Sequence, residues 1–491
     1  MHSITPLVVD LDGSLLRTDS LHESLAAALG HPRVIVGAFW QLARHGRAAV
    51  KRYLAAEVTV DASLLPANRE VVAFLRSERR NGRVIYLATG ADSSLAAEIA
   101  IRFPEFAGTF ASDGHTNLTS ENKAELLVSE FGARGFDYVG NSAADRAVWR
   151  QAGLSYLVTP RRVSQNLPRW AGNIEFAGVI REDAGPAWRV WMKELRVHQS
   201  LKNILLFLPI LAAHSFELRT ILLLSAGFVS FTLMAWSVYL LNDLLDLRSD
   251  RLHERKALRP LASGLIQPMH ALLASASLAI VSAAAALAIG IGFTVVLLLY
   301  AALTCSYSFW LKRVPLVDVT VLAMLYMIRI LAGAVIAHVE LSFWFTGVAL
   351  FLFISLALVK RYTEISRQGS ADVNDMLPGR GYSRSDAAVV LPLGIGSGMA
   401  VLLLMAIYLQ SSAVTVLYPS GVFLWLVIPA LFYWIGNIWI QAGRGAMHDD
   451  PIVFALKNRA SLISGGIMGV LFILASTHLA ALAERLFSLA G

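Results

Sequence analysis

The second part of the chain is dominated by apolar segments that are long enough to cross a lipid bilayer. A membrane-spanning helix needs about 20 consecutive, mostly apolar residues, and nine segments after residue 198 reach or approach that length. They lie near 199–214, 219–241, 268–290, 291–310, 316–338, 342–359, 387–410, 418–440 and 460–483. We therefore predict an all-α, polytopic membrane bundle of nine transmembrane helices.

Composition and charge placement agree with a membrane protein. Of the 491 residues, 56% are hydrophobic and 16% are charged, whereas soluble domains carry about 25% charged residues. Basic residues concentrate on every second loop, which predicts that the N-terminal domain and the charged loops face the cytoplasm and that the C-terminus lies outside. We expect a multi-pass protein of the inner (cytoplasmic) membrane. These loops account for the net charge of +7, so no nucleic-acid partner is expected, and the oligomeric state stays open.

The first part of the chain reads as a soluble α/β domain. Short apolar runs predict strands at 4–11, 83–89, 106–111, 136–140 and 155–159, and helical patterns at 67–80 and 91–101 lie between them. Such alternation favours a parallel sheet with helices on both faces. Residues 20–65 predict a helical insertion that forms a small cap. The expected organisation is an α/β domain at 1–165, a linker and amphipathic lead-in at 166–195, and a membrane domain at 196–491.

Two aspartates, Asp10 and Asp12, follow the first predicted strand in the sequence DLDGS. Ligands of open α/β sheets bind at the carboxyl ends of the strands. Two carboxylates at this edge can hold Mg²⁺, and one can attack a phosphoryl group while the other moves a proton. Thr89 ends the second predicted strand and offers a hydroxyl to phosphate oxygens, and Lys123 can neutralise phosphoryl charge.

This order of residues resembles the haloacid dehalogenase (HAD) superfamily of phosphatases over about residues 1–165. The resemblance implies that Asp10 is the nucleophile, that Asp12 is the general acid/base and that Thr89 and Lys123 bind phosphate. It also implies a magnesium site formed by Asp10, Asp12, Asn141 and Asp145. The fourth motif reads GNSAAD, with Asn141 where the family has an aspartate. The alternative is an inactive domain that regulates or anchors the membrane part.

A charged stretch, YLLNDLLDLRSDRLHERKALRP, follows the second apolar segment directly. Asp243, Asp246 and Asp250 are three and four residues apart, so a helix would place them on one face. Like charges on one face repel unless cations lie between them, which predicts a Mg²⁺ site near the membrane that bridges to substrate phosphates. Basic groups that can reach anionic oxygens continue at spacings of three: His253, Lys256 and Arg259. The alternative is a solvated loop of mixed charge.

The pattern N-D-x-x-D-x-x-x-D, from Asn242 to Asp250, resembles the first signature of the UbiA superfamily of intramembrane prenyltransferases, and the resemblance extends over about 190–491. It implies a helical bundle with a lipid-open cavity, in which Mg²⁺ on aspartates activates a diphosphate leaving group. The family's second aspartate-rich signature is replaced by LVKRYTEISRQ. The residues expected to contact substrate are Arg196, Gln199, Lys202, Asn203, Tyr239, Asn242, His253, Lys256, Arg259, Lys312, Arg329, Lys360, Arg361, Glu364, Arg380 and Tyr382.

The cation-rich second segment suits anionic substrates better than a neutral aromatic acceptor. This set resembles the branch that transfers 5-phosphoribose from phosphoribosyl diphosphate to a polyprenyl phosphate of the decaprenyl type. The HAD domain would then remove the 5-phosphate and give polyprenyl-phosphoryl ribose for cell-envelope glycans. Two alternatives stay open: an aromatic prenyltransferase that uses a prenyl diphosphate, and a transport or lipid-binding protein with a degenerate HAD regulatory domain.

Overall fold

The computed structural model describes residues 5–112, 118–160, 169–182, 185–367, 376–377, 380–411, 414, 417–447 and 451–477. The chain forms two compact units. The first, here called the N-terminal unit, consists of Met1–Leu195 and Tyr239–Ala276, and the second, the helical unit, consists of Arg196–Val238 and Ser277–Gly491. The aspartate-rich stretch therefore packs as part of the N-terminal unit.

The N-terminal unit is built on a six-stranded sheet in which every neighbouring pair is parallel. The strands are β1 Leu7–Asp10, β2 Ile85–Asp92, β3 Phe106–Ser112, β4 Asp137–Gly140, β5 Ser155–Pro160 and β6 Gly178–Glu182. Their spatial order is β3-β2-β1-β4-β5-β6, so the predicted parallel α/β fold is confirmed. Strand β6 lies within the range 166–195 that the sequence assigned to a linker, so the sheet extends beyond residue 165.

Seven described α-helices precede residue 195; the third and fourth pack on one face of the sheet, and the fifth and sixth pack on the other. The seven are α1 Ser20–Ala28, α2 Pro32–Glu57, α3 Arg69–Arg80, α4 Ser93–Arg102, α5 Ser120–Phe131, α6 Arg146–Gln151 and α7 Ala187–Glu194. Alternate residues of a strand point to opposite faces, and accordingly Leu7 and Val9 of β1 join one buried cluster while Val8 joins the other. Helices α1 and α2 form the predicted insertion after β1.

Side-chain caps begin several of these helices. Asp19 accepts hydrogen bonds from the backbone N–H groups of Leu21 and His22 at the start of α1. Asn68 and Asp92 cap α3 and α4 in the same way. Each cap satisfies N–H groups that a helix leaves without internal partners, and the Asp19 cap fixes where α1 begins relative to the end of β1.

The helical unit and the segments that connect it to the N-terminal unit contain long apolar helices. Their bounds are α8 Leu208–Ala212, α9 Leu218–Leu245, α10 Leu247–Leu252, α11 Pro268–Ile289, α12 Ile291–Phe309, α13 Val317–Ala337, α14 Phe343–Ser366, α15 Ala387–Leu409, α16 Val427–Gly443, α17 Pro451–Lys457 and α18 Arg459–Ser476. Short 3₁₀ segments precede α15 and α16 at Arg384–Asp386 and Gly421–Leu426. The chain is a multi-pass membrane protein.

Eight described helices are long and apolar enough to cross a membrane, so the predicted count of nine is not confirmed. The segment predicted as the first span, 199–214, instead forms a 3₁₀ helix at Val197–Phe207 followed by the short α8. Polar Lys202 and Asn203 are buried inside it, and Pro209 at the start of α8 carries no backbone N–H. The predicted span 460–483 corresponds to α18, and its last residues lie outside the described part of the chain.

Within the helical unit the 3₁₀ segment packs closely on α13. A Cβ at Gly333 would collide with the backbone of Leu206, so glycine permits this close approach of two main chains. Ser230 of α9 and Ser282 of α11 also exchange hydrogen bonds with each other's carbonyl oxygens, at 2.9 and 2.7 Å. Small and polar residues of this kind are typical of contacts between membrane helices.

Candidate active sites

The carboxyl edge of the sheet brings together residues that lie far apart in the sequence. The strand order reverses between β1 and β4, which is where open α/β sheets form a ligand crevice. Asp10 ends β1 and Asn141 directly follows β4. The turn after Asp12 needs Gly13, whose φ is +74°, and a Cβ there would collide with the side-chain amide of Asn141. The first and fourth predicted motifs are therefore in contact.

Four buried side chains form a continuous hydrogen-bonded chain at this edge. Lys123 Nζ donates to Asp10 Oδ1 at 2.6 Å and to the Tyr138 hydroxyl at 3.1 Å. The Tyr138 hydroxyl donates to Asp145 Oδ1 at 2.8 Å. Helix α5 thus places the predicted phosphate-binding lysine directly on the predicted nucleophile, and the tyrosine of β4 connects both to the predicted metal ligand.

Asp12 and Asp145 are held by local donors. Asp12 accepts from the backbone N–H of Ser20 at 2.8 Å and from its hydroxyl at 3.0 Å, so the first residue of α1 fixes this carboxylate. Asp145 Oδ2 accepts from the N–H groups of Asn141 and Ser142 at 3.1 and 3.0 Å and from the Ser142 hydroxyl at 3.2 Å. Both Asp145 oxygens therefore contact protein donors.

Burial and charge crowding shift the pKa values at this edge. Burial, with repulsion from Asp145 and against attraction from Lys123, raises the pKa of Asp10 to about 6. Burial and repulsion from Asp19 and Asp10 raise the pKa of Asp12 to about 7. Burial lowers the pKa of Lys123, but the carboxylates of Asp10 and Asp145 outweigh it and the net pKa is raised. The edge thus concentrates negative charge that a cationic ligand would relieve.

Thr89 lies within β2 rather than at its end, since β2 continues to Asp92. Its side chain is fully buried, and its hydroxyl accepts from the N–H of Ala91 at 2.9 Å. The sequence analysis missed Ser20, Tyr138 and Ser142 as members of this site. The Ser142-x-x-Asp145 spacing, which forms a capping box, was the signal that could have found Ser142.

A cavity of about 300 Å³, lined by both polar and apolar residues, lies in the N-terminal unit beside this edge. Its lining comes from the start of α1, the end of α2 and the start of α4, and includes Ser20, Lys51 and Asp92. Lys51 Nζ donates to the Gly90 carbonyl at 2.8 Å, which ties the insertion to the strand that carries Thr89. Arg248 from the aspartate-rich stretch also lines the cavity.

The aspartate-rich stretch leaves the end of α9 and continues into α10. Helix α9 ends at Leu245 and α10 begins at Leu247, with Asp246 between them. Helical hydrogen bonds nevertheless run across the join, from Asp246 N to the Asn242 carbonyl at 2.9 Å and from Asp250 N to the Asp246 carbonyl at 2.8 Å. The spacing of the three aspartates is therefore close to that of one helix face.

Two of these aspartates converge on one guanidinium group. Arg259 Nη1 lies 3.1 Å from Asp243 Oδ1 and also contacts Asp250 Oδ2. Both carboxylates are buried, each with 2% of the residue exposed, whereas 30% of the Arg259 side chain is exposed. Lys256 Nζ lies 3.6 Å from Asp250 Oδ1. The aspartate-rich stretch is therefore followed by cations that balance its carboxylates.

The other predicted contacts in this stretch are more peripheral. Asp246 Oδ2 accepts from the Asn242 side-chain amide at 3.2 Å. His253 is exposed at the end of α10, and its Nδ1 accepts from the N–H of Arg255 at 3.3 Å. Tyr239 is partly buried on α9, one turn before Asp243.

The ligand atoms of both aspartate clusters, at the sheet edge and in the aspartate-rich stretch, are oxygens. They suit a hard divalent cation, since Mg²⁺ takes oxygen ligands. Asp243 and Asp250 already converge on a single cationic atom, and Asp10, Asp12 and the Asn141 amide belong to adjacent turns of one sheet edge. Within the described ranges, no three His, Cys, Asp or Glu side chains are arranged as a complete metal site. The residues fit Mg²⁺ by donor type and charge.

Arg361 of the helical unit lies in a buried ionic cluster. Its side chain is fully buried, with Nη2 2.5 Å from Asp318 Oδ2 and Nη1 in contact with Glu364. The Tyr382 hydroxyl donates to Asp318 Oδ1 at 2.6 Å and accepts from the N–H of Leu316 at 2.7 Å. In this arrangement Arg361 and Tyr382 bind protein groups and join α13, α14 and the segment before α15.

Arg329 lies within α13 among aromatic and amide groups. Its Nε donates to Asn203 Oδ1 at 2.9 Å and its Nη2 donates to the Tyr300 hydroxyl at 3.2 Å. The guanidinium also faces the rings of Tyr300 and Tyr326. Lys202 Nζ lies 5.9 Å from the centre of the Tyr326 ring. Two predicted cations of the helical unit thus share one aromatic neighbour, and no described carboxylate pairs with Arg329.

The remaining predicted residues of the helical unit are partly buried at helix ends. They are Arg196 and Gln199 at the start of the 3₁₀ segment, Lys312 after α12, Lys360 in α14, and Arg380. Arg380 Nη1 donates to the Tyr307 hydroxyl at 2.7 Å. The segment HDDPIVFALKNR begins outside the described residues, which resume at Pro451.

The profile of the UbiA prenyltransferase family matches residues 204–480. The uncharacterized protein y4nM of Sinorhizobium fredii is 36% identical over 96% of this chain and 91% of its own length. Decaprenyl-phosphate phosphoribosyltransferase of Corynebacterium glutamicum is 37% identical over 35% of this chain and 54% of its own length.

Two solved structures also align with the chain. A UbiA homologue from Archaeoglobus fulgidus bound to GPP and Mg²⁺ aligns with a TM-score of 0.45 and 18% identity, over 59% of this chain and 100% of its own. A phosphoserine phosphatase in a phospho-aspartyl intermediate analogue aligns with a TM-score of 0.26 and 13% identity, over 37% of this chain and 95% of its own.

Proposed function

Because the chain belongs to the UbiA prenyltransferase family, we propose that its membrane domain is a transferase that moves 5-phosphoribose from phosphoribosyl diphosphate to a polyprenyl phosphate. The N-terminal α/β domain would then remove the 5-phosphate as a phosphatase. The products of the two steps are a phosphoribosylated lipid and polyprenyl-phosphoryl ribose, a sugar donor for cell-envelope glycans.

The observation that carries the transferase proposal is the convergence of Asp243 and Asp250 on Arg259. Buried carboxylates at the end of a membrane helix are costly unless cations balance them, and this pair is kept together after a long apolar helix. Such a pair can hold a Mg-diphosphate. Arg259 can donate hydrogen bonds to the diphosphate oxygens because part of its side chain is exposed.

The choice of phosphoribose as the transferred group has two supports. Part of the chain is 37% identical to the decaprenyl-phosphate phosphoribosyltransferase of Corynebacterium glutamicum, although the match covers about half of that protein. In addition, Lys202 and Arg329 bring two cations into the helical unit around Tyr326. We assign these two residues to the phosphate of the acceptor lipid, since a lipid phosphate needs cationic neighbours in an apolar surrounding.

The transfer step follows from these assignments. A phosphate oxygen of the lipid attacks C1 of the ribose, the C1–O bond to diphosphate breaks, and diphosphate leaves with the bonding electrons. Mg²⁺, when bound by Asp243, Asp246 and Asp250, supplies Lewis-acid stabilisation of that leaving group. Arg259 and Lys256 contribute further positive charge against the departing oxygens.

The dephosphorylation step uses the sheet edge. Asp10 attacks the phosphorus of the ribose 5-phosphate while Asp12, held by Ser20, protonates the departing ribose oxygen. Lys123 stabilises negative charge on the phosphoryl oxygens and orients Asp10 through their hydrogen bond. Water then releases phosphate from Asp10, with Asp12 accepting its proton. Mg²⁺ would be held by Asp10, Asp12 and Asn141, with Asp145 ordering Asn141 through its backbone.

The location of the two steps follows from the charged loops. We propose that the N-terminal domain and the aspartate-rich stretch face the cytoplasm, where phosphoribosyl diphosphate is available, and that the C-terminus lies outside. A phosphatase tethered to the transferase would meet the lipid product at a high effective concentration.

The test is to incubate purified protein with radiolabelled phosphoribosyl diphosphate, decaprenyl phosphate and Mg²⁺, and to separate the lipid extract by thin-layer chromatography. We expect polyprenyl-phosphoryl ribose with wild type and the phosphorylated lipid with Asp10→Asn. The absence of any labelled lipid would disprove the transferase proposal. Labelling of an aromatic acceptor by a prenyl diphosphate instead would identify an aromatic prenyltransferase.

A further inference from the structure

We propose that the N-terminal α/β domain contributes to phosphoribosyl transfer. Its residue Glu23 forms a buried pair with Arg251, and this pair positions the aspartate-rich stretch on helix α1. This inference rests on the proposed transfer reaction. Glu23 and Arg251 are positioning residues, since neither is placed in contact with substrate. The predicted consequence is that transfer depends on a residue of the phosphatase-like domain that phosphate release itself does not use.

The pair has the geometry of a strong ionic contact. Arg251 Nη1 donates to Glu23 Oε2 at 2.9 Å and Nη2 donates to Oε1 at 2.7 Å, which is a bidentate arrangement. The Arg251 side chain is 8% exposed and that of Glu23 is 3% exposed. Arg251 Nε donates to the Ala262 carbonyl at 3.0 Å. One guanidinium thus fixes both α1 and the far end of the loop that carries Arg259.

Further contacts hold the same loop on the N-terminal residues. The Gln267 side chain donates to the Arg17 carbonyl at 2.7 Å and accepts from the N–H of Asp19 at 3.1 Å. Glu194 Oε2 accepts from the N–H of Leu261 at 3.2 Å. Because Arg259 lies between Arg251 and these anchored residues, the contacts define the loop conformation from which Arg259 reaches the aspartates.

Glu23 and Asp250 bind different cations of the same stretch. Arg251 directly follows Asp250 in α10, and adjacent residues of a helix do not face each other. Glu23 accordingly binds Arg251, whereas Asp250 contacts Arg259 and Lys256. Arg259 also reaches Asp243. The Glu23–Arg251 pair therefore fixes α10 through a side chain that does not itself touch the aspartates that Arg259 joins.

Helix α1 connects this pair to the phosphatase-like site. Ser20, three residues before Glu23, holds Asp12 with its backbone N–H and its hydroxyl. Residues in the first turn of a helix move together because they share its backbone hydrogen bonds. Loss of the Glu23 carboxylate alone leaves both hydrogen bonds from Ser20 to Asp12 in place, so it should affect Arg251 more than Asp12.

The experiment compares Glu23→Gln and Arg251→Gln in the full-length protein with two controls on the same loop, Glu254→Gln and Arg255→Gln. Both control residues are exposed. We expect the test variants to lower kcat for phosphoribosyl transfer by about 10- to 100-fold, as loss of groups that orient metal ligands does. The double variant should fall no further than either single one. The controls should stay within about 2-fold of wild type.

A second readout does not depend on activity. Hydrogen–deuterium exchange of peptides that cover residues 247–262 should be faster in the test variants than in wild type and in the controls. If Glu23→Gln does not fold, Gln267→Met removes the two hydrogen bonds that hold the loop on Arg17 and Asp19 without burying an unpaired charge, and it should give the same faster exchange and slower transfer. Unchanged exchange and unchanged transfer in the test variants would overturn the inference, as would additive losses in the double variant.

The outcomes separate this inference from the proposed function. If wild type makes no phosphoribosyl lipid, the transferase proposal fails, while hydrogen–deuterium exchange still decides whether Glu23 orders the loop. If wild type is active and Glu23→Gln keeps full transfer with normal exchange, the transferase proposal stands and the positioning role is wrong. Phosphate release from a soluble sugar phosphate should change less than transfer in Glu23→Gln.

Discussion

The N-terminal unit contains two clusters of aspartates, one at the sheet edge and one in the aspartate-rich stretch, and they are stabilised in different ways. At the sheet edge, Asp10, Asp12 and Asp145 are held by donors from several elements, including the buried Lys123 and Tyr138. Asp243, near the end of α9, and Asp250, in α10, both contact Arg259, whose side chain is partly exposed. The sheet edge is therefore a fixed framework, whereas the loop is a charge-balanced arrangement that an incoming anion can rearrange.

This difference has a physical origin in burial. A buried lysine that bridges to a carboxylate is costly to move, because separation leaves two unpaired charges in a region of low polarity. A partly exposed arginine on a short loop can exchange a carboxylate for a phosphate oxygen at much lower cost, since water screens the intermediate arrangement. The first site suits a fixed nucleophile, and the second suits a leaving group that must enter and depart.

Asp10→Asn should separate the two sites most sharply. Removal of the proposed nucleophile should lower phosphate release by about 10³-fold or more, whereas lipid labelling from phosphoribosyl diphosphate should stay within about 2-fold of wild type. The measurement is phosphate release and labelled lipid from the same preparation. An equal loss of both activities would mean that the sites do not act separately.

Asp243→Asn should give the opposite separation. One buried carboxylate that faces Arg259 is lost, so transfer should fall by about 100-fold or more, which exceeds the effect typical of groups that only orient a metal ligand. Phosphate release from a soluble sugar phosphate should not change. Glu254→Gln, which removes an exposed carboxylate of the same stretch, is the control. Normal transfer by Asp243→Asn would show that this carboxylate has no part in the reaction.

Arg259→Gln tests whether the loop cation is exchangeable. We expect transfer to fall by about 10-fold, because positive charge against the leaving diphosphate is lost. At saturating phosphoribosyl diphosphate, Arg259→Lys should retain more transfer activity than Arg259→Gln because it keeps the positive charge. It should be less active than wild type because lysine lacks the planar, bidentate guanidinium group. Arg255→Gln is the matched control on the same loop. Steady-state transfer rates over a range of phosphoribosyl diphosphate concentrations give the comparison.

Sequence reasoning succeeded where the signal is local. The fully apolar run of β1 and the apolar spans are runs of consecutive residues, and the alternation of strands with helices is read from neighbouring segments. Strand β6 was missed because its sequence, GVIRE, carries two charges and none of its residues is fully buried. The first predicted span was not confirmed as a membrane helix because its polar residues are buried inside a 3₁₀ segment.

Contacts between distant residues were outside the reach of the sequence. The spacing of Asp243, Asp246 and Asp250 indicated a common face, but nothing in the pattern showed that Arg251 would pair with Glu23, 228 residues away. Likewise, KRYTE indicated a cationic segment without showing that Asp318 and Glu364 neutralise Arg361. A charge motif predicts which groups are present, whereas the tertiary fold decides which of them remain available.

Asn141→Asp tests whether residue 141 contacts the cation at the sheet edge, and its expected effect is the smallest of the four. Asn141 packs against Gly13 and donates its N–H to Asp145, so an added carboxylate would join Asp10, Asp12 and Asp145 at short range. Without Mg²⁺ this repulsion should lower the melting temperature. With Mg²⁺ the added negative ligand should lower the half-saturating Mg²⁺ concentration for phosphate release by about 3- to 10-fold, because ligand charge sets affinity for hard cations.

The control for this change is Asn81→Asp, which adds the same charge at an exposed helix end. Asn81→Asp should change the melting temperature equally with and without Mg²⁺. It should leave the half-saturating Mg²⁺ concentration for phosphate release unchanged. If Asn141→Asp behaves like Asn81→Asp, the side chain of residue 141 does not reach the cation. The metal would then be held by Asp10 and Asp12, since both oxygens of Asp145 are bound by protein donors.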